Sequence, residues 1–474
     1  MCGRPQEETV PTTPIMTREA LQSVAADAAA EAAAEDGALD DAVPFGPAGS
    51  DDPRWCWIAT RRTSLATPDG DVLLAKFGVT GAENLRLPRP QALDFLARGR
   101  WDGACLDAEL QSAAIPLCGH LTPAARAVGR VNLLLREGDG TVTGDYTIGT
   151  GLSRMLPAIG IPLSECRALI LADRDDDPAA TGLVRLLKHL GAPEAALLAI
   201  TAPLTKAEIA AMPAAEHANL LINASRFGRA PDFEAMPVES PDALGHFHAL
   251  KGVLDLIDDP VRTRLIWNAQ RRGLHARSTL GLRVVEAREA AELFTGRTLP
   301  FCATRSILSD IRREASNIVL IGMPGCGKTT IGKAVAARLM REFVDIDAKV
   351  EQRVGKSSAR IYREDGEAFF RLHESAVIES LADRHGLVIS TGGGACLRPR
   401  NRMLLALNGT FYWLQRPLSK LSTYNRPIPQ RRGVEVLYEE RAPIYRDLAE
   451  RIITVKSVEE TVAAIIGESR PGED

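Results

Sequence analysis

An apolar run, Asn317-Ile318-Val319-Leu320-Ile321, is followed directly by Gly322-Met323-Pro324-Gly325-Cys326-Gly327-Lys328-Thr329. The second stretch has the pattern GxxxxGK[ST], in which glycines let several backbone N–H groups turn inward around phosphate groups. The apolar run predicts a buried strand, and the residues from Ile331 to Met340 have helical spacing. A strand, a loop and a helix therefore stand in the order of a phosphate-binding loop, since a helix N-terminus attracts anions.

Two side chains of this loop have predicted roles, because Lys328 can neutralise the outer phosphates of a nucleotide and the Thr329 hydroxyl can ligate Mg²⁺. Farther on, the strand-like run Phe343-Val344-Asp345-Ile346-Asp347 ends in two carboxylates. Ligands collect at the C-terminal edge of a parallel sheet, and strand alternation would place Asp345 and Asp347 on one side of the strand. We expect one to serve magnesium and its waters and the other to hydrogen-bond an acceptor hydroxyl.

Three later segments extend the pattern. The first is Gly366-Glu367-Ala368-Phe369-Phe370-Arg371-Leu372-His373-Glu374, and the second is Val388-Ile389-Ser390-Thr391-Gly392-Gly393-Gly394. The triple glycine predicts a close backbone approach to a small ligand. The third segment, Ser419 to Arg432, is rich in arginine and is typical of a lid that closes over a transferred phosphoryl group and excludes water.

Composition excludes several classes of protein. The 474 residues carry a net charge of −4 with pI near 6.1, whereas a nucleic-acid-binding surface needs clustered excess basic residues. Eight scattered cysteines without CxxC spacing favour neither a zinc site nor a disulfide framework. The N-terminus does not resemble a signal peptide and no apolar run is long enough to cross a bilayer, so we expect a soluble, cytoplasmic protein without a membrane partner.

The length predicts several α/β domains rather than one core. Residues 1–52 are rich in alanine and acidic residues and have few anchors for a core, so we expect a disordered tail there. Two αβ regions follow, separated by a connector at 297–316. The predicted boundaries are 53–151 for a first lobe completed by about 275–296, 152–274 for a second lobe, and 317–474 for the phosphate-loop domain.

The C-terminal motifs in this order resemble shikimate kinase from Asn317 to about Gly467. The resemblance implies ATP-dependent phosphorylation of shikimate to shikimate 3-phosphate, a step of chorismate and aromatic amino acid biosynthesis, with ATP and shikimate as partners and Mg²⁺ as cofactor. Lys328, Asp347 and Arg426 would be catalytic. Thr329 and Asp345 would organise the metal. The residues implied in ATP binding are Gly322, Gly325, Cys326, Gly327, Lys328, Thr329, Thr330 and Arg426, and those implied in shikimate binding are Asp347, Arg371, Gly393, Gly394 and Arg441.

The N-terminal region, from Arg54 to Gly296, looks like shikimate dehydrogenase, whose fold is two-lobed and of Rossmann type. The stretches that carry this resemblance include 124–132, 144–151, 222–225, 253–260 and 281–296. They match the family at scaffold positions, so the resemblance concerns architecture more than chemistry.

The catalytic pair of that family is missing here. Its lysine, in an NVTxPxK stretch, corresponds to Gln111, and its aspartate, in an NTDxxG stretch, corresponds to Ile148. Neither residue can exchange a proton as the family's pair does. The glycine-rich turn expected after the strand at 168–171 reads Ala172-Asp173-Arg174-Asp175-Asp176-Asp177, whose carboxylates repel a pyrophosphate. Glu286 stands where the family has a ligand-binding glutamine.

Three hypotheses about the whole chain follow. The first is a shikimate kinase behind a dehydrogenase-like region without redox activity. The second is a bifunctional enzyme in which the N-terminal region still reduces its substrate with NADPH. The third makes that region a noncatalytic module that mediates assembly. Within kinases, gluconate or another small hydroxy acid is the alternative acceptor.

Overall fold

The computed structural model describes residues 54–60, 68–421 and 433–467. The predicted tail at 1–52 lies outside these residues, as do residues 422–432 of the predicted lid. Contacts group residues 53–474 into one unit. Three sheets and the helices packed on them form this unit, so the fold is of the expected α/β class.

The first sheet has six strands in the order β2-β1-β3-β5-β6-β4. Its strands are β1 Trp55–Ala59, β2 Glu83–Arg86, β3 Gly103–Leu106, β4 His120–Leu121, β5 Leu133–Arg136 and β6 Val142–Asp145. Strands β1, β2 and β3 are parallel to one another, whereas β5 is antiparallel to both β3 and β6. This sheet is therefore mixed.

The second sheet has five parallel strands in the order β11-β10-β9-β7-β8. These are β7 Arg167–Ala172, β8 Glu194–Ala199, β9 Leu220–Asn223, β10 Gly252–Asp255 and β11 His275–Ser278. The central strands β9 and β10 are buried along their whole length, as parallel strands covered on both faces must be. The strand order places β7 beside β9, which is the arrangement of an open, doubly wound sheet.

The third sheet contains the phosphate loop and has the order β13-β14-β12-β15-β16, again all parallel. Its strands are β12 Asn317–Ile321, β13 Phe343–Asp345, β14 Val388–Ser390, β15 Gly409–Gln415 and β16 Arg451–Thr454. Alternate residues of β12 enter opposite core clusters, Val319 and Ile321 on one face and Ile318 and Leu320 on the other. The sheet is thus covered on both sides, and its carboxyl edge is left for a ligand.

Seventeen α-helices lie in the described residues. In the N-terminal region these are α1 Gly70–Lys76, α2 Arg89–Arg98, α3 Pro123–Val128, α4 Ile148–Ala158, α5 Pro178–His189, α6 Lys206–Ala211, α7 Pro213–His217, α8 Arg264–Arg271 and α9 Leu280–Thr295. The remaining helices are α10 Phe301–Ala315, α11 Lys328–Leu339, α12 Ile346–Val354, α13 Ser358–Glu364, α14 Gly366–Glu379, α15 Pro399–Leu407, α16 Val434–Leu448 and α17 Val458–Gly467.

Helix α9 follows the second sheet in the chain but packs on the first. Leu280, Val284 and Phe294 of this helix share a core cluster with Trp57 of β1 and Leu73 of α1. The chain therefore returns to the first sheet after completing the second.

Helix α10 occupies most of the predicted connector and leads almost directly into β12, because it ends at Ala315. None of the helices in the described residues is long and apolar enough to cross a membrane.

Candidate active site

The loop after β12 has the backbone that a phosphate cradle needs. Gly325 and Gly327 have φ angles of 83° and 108°, which side-chain-bearing residues rarely adopt. A Cβ on Gly322 would stand 2.6 Å from the carbonyl oxygen of Leu414, so this position also has no room for a larger residue. Helix α11 begins at Lys328, and its N-terminus faces the loop.

Lys328 lies across this loop and is buried, with 7% of its surface exposed. Its Nζ donates to the carbonyl oxygens of Gly322 at 2.9 Å and Met323 at 3.1 Å. An ammonium held inside the loop is placed to meet the negative charge of a bound phosphate. Cys326, beside it, is fully buried and fills the core under the loop.

The strand expected to end at Asp347 is shorter than predicted, which corrects the sequence interpretation. Strand β13 ends at Asp345, whose side chain accepts a hydrogen bond from the N–H of Ala348 and so caps helix α12. Asp347 therefore lies in the first turn of that helix, not on a strand. Alternation along a strand does not explain why the two carboxylates are near each other; the turn from strand to helix does.

Asp345 and Asp347 have different surroundings. Asp345 accepts a hydrogen bond from the Thr329 hydroxyl at 2.8 Å. Asp347 has a buried Oδ1 without a hydrogen-bond partner in the described residues. Burial, together with the nearby carboxylates of Glu374 and Asp345, raises the pKa of Asp347 to about 7. A carboxyl group poised near neutral pH can exchange a proton with a hydroxyl.

Arg371, on helix α14, forms a buried ion pair that the sequence interpretation did not include. Its Nη1 donates to both oxygens of Glu374, at 2.9 and 2.8 Å, and Glu374 is fully buried. Burial opposes the positive charge, but Glu374 outweighs it and holds the pKa of Arg371 above its usual range. On the other side the guanidinium contacts Glu367, at 3.1 Å from Nη2.

The triple glycine after β14 makes room for these charged groups. A Cβ on Gly394 would collide with the guanidinium of Arg371, and one on Gly392 would collide with Asp347 and Glu374. A Cβ on Gly393 would approach Pro324 of the phosphate loop at 2.7 Å and Arg441 at 3.0 Å. Only glycine, which has no Cβ, fits at these three positions among the charged side chains.

Arg441, on helix α16, approaches the same turn and is 2% exposed. Its Nη1 donates to the carbonyl oxygen of Gly393 at 2.8 Å, and the Tyr445 hydroxyl donates to the same oxygen at 2.5 Å. The Nε of Arg441 has no partner among the described residues. This nitrogen is a free donor beside the glycine turn.

The structure thus brings the phosphate loop, both aspartates, the glycine turn and two arginines to one edge of the third sheet. Thr330 lies in the first turn of α11 and is exposed. Arg426, predicted to act from the lid, lies outside the described residues.

Three residues at this edge were missed from the sequence: Glu374, Gly392 and Tyr445. The spacing offers a signal for two of them, because Glu374 is three residues after Arg371 and Tyr445 is four residues after Arg441. Such spacings place side chains on one helix face. The triple glycine predicted a close approach of a ligand, whereas the contacts of position 392 with Asp347 and Glu374 join distant segments and could not be read from the sequence.

In the N-terminal region, the residues that stand in place of the dehydrogenase family's catalytic pair have structural contacts instead. Gln111 is buried, and its Oε1 accepts from Arg130 at 3.0 and 2.9 Å. Nearby, Asn132 donates to Glu286 at 3.1 Å. Burial raises the pKa of Glu286 to about 7. Ile148 begins helix α4.

The acidic loop at 172–177 also has a defined geometry. Asp177 caps helix α5 by accepting from the N–H groups of Ala179 and Ala180 at 2.9 and 2.8 Å. Asp173 pairs with Arg226 at 3.2 Å. A carboxylate therefore already lies at the helix N-terminus after β7, the place where a Rossmann fold holds a pyrophosphate.

Comparison with known proteins gives matches to two families. The shikimate kinase family model matches residues 324–469. A shikimate kinase from Chromobacterium violaceum is 38% identical over 166 residues, which are 33% of this chain and 89% of the relative. A shikimate kinase from Burkholderia lata is 42% identical over 151 residues, 30% of this chain and 82% of that protein.

Solved structures of both families resemble parts of the chain. Shikimate kinase from Acinetobacter baumannii in complex with shikimate covers 34% of this chain and 97% of its own, with 32% identity and a TM-score of 0.31. Shikimate 5-dehydrogenase from Thermus thermophilus in complex with NADP(H) and shikimate covers 55% and 100%, with 23% identity and a TM-score of 0.44.

The relatives that are about 40% identical are covered over most of their length. The residues that match the family model, 324–469, include most of the phosphate loop, the aspartates, the glycine turn and both arginines. Through this C-terminal segment, the chain belongs to the shikimate kinase family.

Proposed function

We propose that this enzyme transfers the terminal phosphoryl group of ATP to the 3-hydroxyl of shikimate, forming shikimate 3-phosphate and ADP. The observation that carries the proposal is the position of Asp347 and Arg441 at the glycine turn beside the phosphate loop, in a chain of this family. Asp347 Oδ1 and Arg441 Nε are the atoms there without partners in the described residues. A ligand with a hydroxyl and a carboxylate would satisfy both.

Each residue of the site has a separate role in the phosphoryl transfer. The acceptor oxygen attacks the terminal phosphorus while the bond from that phosphorus to the bridging oxygen breaks, and the hydroxyl proton passes to Asp347. Lys328 meets the charge of the phosphoryl oxygens. Arg441 and Arg371 hold the acceptor carboxylate, since guanidinium groups suit that group. Most of the acceleration comes from holding the two substrates in line.

Magnesium is part of the proposal because the residues at the loop fit it. The Thr329 hydroxyl and the Asp345 carboxylate lie 2.8 Å apart beside the loop, and both are hard oxygen ligands of the kind that Mg²⁺ prefers. Bound Mg²⁺ would neutralise charge on the phosphates of ATP. Thr329 would bind the ion, and Asp345 would orient its waters.

The test is an assay that couples ADP release to shikimate addition. We expect Lys328→Ala to lower kcat by roughly 100-fold or more, because a charge at the transferred group is removed. Lys333→Ala is the matched control, since Lys333 lies on the same helix and is exposed. Gluconate at equal concentration tests the alternative acceptor. ADP release that ignores shikimate, or is unaffected by Lys328→Ala, would overturn the proposal.

We further propose that the N-terminal region does not reduce a substrate with a nicotinamide cofactor. Two observations support this. Gln111 is bonded to Arg130 where the dehydrogenase family has its lysine, and the Asp177 carboxylate caps the helix that would bind the pyrophosphate. A second carboxylate, that of Asp173, lies in the same loop and pairs with Arg226 at 3.2 Å.

Loss of reduced-cofactor absorbance with 3-dehydroshikimate tests this second proposal. We expect no loss above the rate without protein, in the same preparation that phosphorylates shikimate. Turnover of NADPH or NADH that depends on 3-dehydroshikimate would show that the region has kept its redox activity.

A further inference from the structure

A polar cleft of about 180 Å³ lies away from the proposed active site, where the connector helix α10 and the loop before α8 meet the third sheet. Its charged lining residues are Arg262, Arg312 and Glu450. Its neutral polar lining consists of Gln270, Ser278, Ser316, Asn408 and Thr410. The cleft is smaller than the roughly 300–1,000 Å³ typical of sites for drug-sized ligands, so a ligand there must be small.

The charges around this cleft do not balance. Arg262 donates to the carbonyl oxygens of Ala406 and Gly409, and its Nη2 lies 3.2 Å from the carboxylate of Glu450. The acid in the lining is therefore already paired. Arg312 has no hydrogen-bond acceptor for its guanidinium anywhere in residues 54–60, 68–421 and 433–467.

Further positive charge surrounds Arg312. Burial, with repulsion from Arg277 and then from Arg262, lowers the pKa of Arg312 to about 10. At neutral pH the guanidinium remains protonated, since that value is still well above 7. A partly buried guanidinium that has no acceptor and lies near two other cations is electrostatically unfavourable, and a bound anion would relieve that repulsion.

Neutral donors are available beside this charge. The side chains of Ser278, Ser316 and Thr410 line the cleft, and none has a hydrogen-bond partner in the part of the chain that the structure describes. Hydroxyl groups around a guanidinium are suited to the several acceptor oxygens of a small oxyanion.

We propose that this cleft binds a small inorganic oxyanion of the phosphate type, with Arg312 as its principal ligand. The bound ion would connect three segments, because Arg312 lies on α10, Ser278 ends β11 and Thr410 lies on β15. Phosphate would therefore stabilise the contact between the N-terminal region and the kinase region.

Inorganic phosphate is the probe, and the full-length protein is used with sodium chloride at matched ionic strength as the reference. Because the phosphate loop is a second candidate site for phosphate, the titration is made in Lys328→Ala protein, which weakens binding at the loop. In that background we expect phosphate to raise Tm, and we expect Arg312→Met to weaken the phosphate Kd by about 10- to 100-fold. Without phosphate, Arg312→Met should unfold at no lower temperature, since no protein partner is lost.

Arg305→Met is the matched control, because Arg305 lies on the same helix and is exposed. It should leave the phosphate response unchanged. Should Arg312→Met fail to fold, phenylglyoxal modification followed by mass spectrometry provides a second measurement. Phosphate should slow modification of Arg312 several-fold and leave Arg305 unaffected.

Three results would overturn the proposal: no response of Tm to phosphate, an equal response in Arg312→Met and Arg305→Met, or modification of Arg312 that phosphate does not slow.

Discussion

Asp347 combines a raised pKa with a position beside the proposed acceptor, which makes its titration measurable. The carboxylate is the form that can take the hydroxyl proton, and its pKa is about 7, so the active fraction falls tenfold for each pH unit below that value. We expect kcat/KM for shikimate, at saturating ATP and magnesium, to fall on the acid side of about pH 7.

Asp347→Asn is the variant that tests this assignment, since an amide of the same shape cannot accept the proton. We expect kcat to fall about 100- to 10,000-fold and the residual activity to lose its acid limb. If the acid limb persists unchanged in Asp347→Asn, another group is responsible for it.

Gly394 offers a steric test of the acceptor site. Its φ of −116° suits any residue, so an added methyl group acts only through space, and it would collide with the guanidinium of Arg371. Overpacking of this kind costs about 1–3 kcal/mol, so Gly394→Ala should raise KM for shikimate roughly tenfold while leaving KM for ATP nearly unchanged.

Gly138→Ala is the control for that measurement, because nothing lies within 4 Å of its added Cβ. A normal KM for shikimate in Gly394→Ala would show that Arg371 can shift without affecting the acceptor.

The sequence was sufficient to name most residues that meet at this site, because the phosphate loop and the glycine turn depend on local patterns and the resemblance to shikimate kinase implied the arginines. What it could not show was how burial and contacts between distant segments change the pKa values of those residues. The raised pKa of Asp347 arises from burial and from the carboxylates of Glu374 on α14 and of Asp345 before α12.

At the scale of elements, the order of strands and helices was predictable, whereas one boundary was not. The run from Phe343 to Asp347 alternates like a strand, yet Asp345 caps a helix and ends the strand there. Asp345 serves both as cap and as partner of Thr329, and the second contact depends on the neighbouring loop. A local pattern does not contain that contact.

Helix α14 fixes the position of Arg371 through two carboxylates on the same helix. Glu374 is buried under Arg371, whereas Glu367 contacts the same guanidinium from a side chain that is about half exposed. Removing the charge of Glu374 takes away the buried partner of Arg371 and leaves only the half-exposed Glu367. Loss of a buried partner is strongly destabilising, whereas exposed pairs contribute about 1 kcal/mol or less.

We therefore expect Glu374→Gln to lower the free energy of unfolding by about 2–4 kcal/mol and to raise KM for shikimate, because Arg371 loses its fixed position. Glu367→Gln should change either quantity little. Urea unfolding and steady-state kinetics of the two variants check this, and equal effects would mean that burial does not distinguish the two pairs.

At the scale of the whole molecule, the N-terminal region contacts the kinase region through α8 and the residues before it. Phe233 and Trp267 pack against the core of the kinase sheet. Charged pairs cross the same contact, Arg271 with Asp447 and Arg400 with Glu234, at 2.6 Å each. The sequence indicated two regions and a connector, but it offered no sign of this contact, which joins residues far apart in the chain.

Arg262 is the best single test of that contact, because its guanidinium donates across it to the carbonyl oxygens of Ala406 and Gly409, at 3.0 and 2.6 Å. Arg262→Ala would leave these carbonyls and Glu450 without this donor, at a cost of about 1–3 kcal/mol. Arg272→Ala is the control, since Arg272 pairs with Asp242 within the N-terminal region at an exposed site. We expect calorimetry to show a Tm lower by about 1–3 °C for Arg262→Ala only, since a unit of this length shifts by roughly 1 °C per kcal/mol. Equal Tm values for the two variants would mean that the regions do not stabilise each other through this residue.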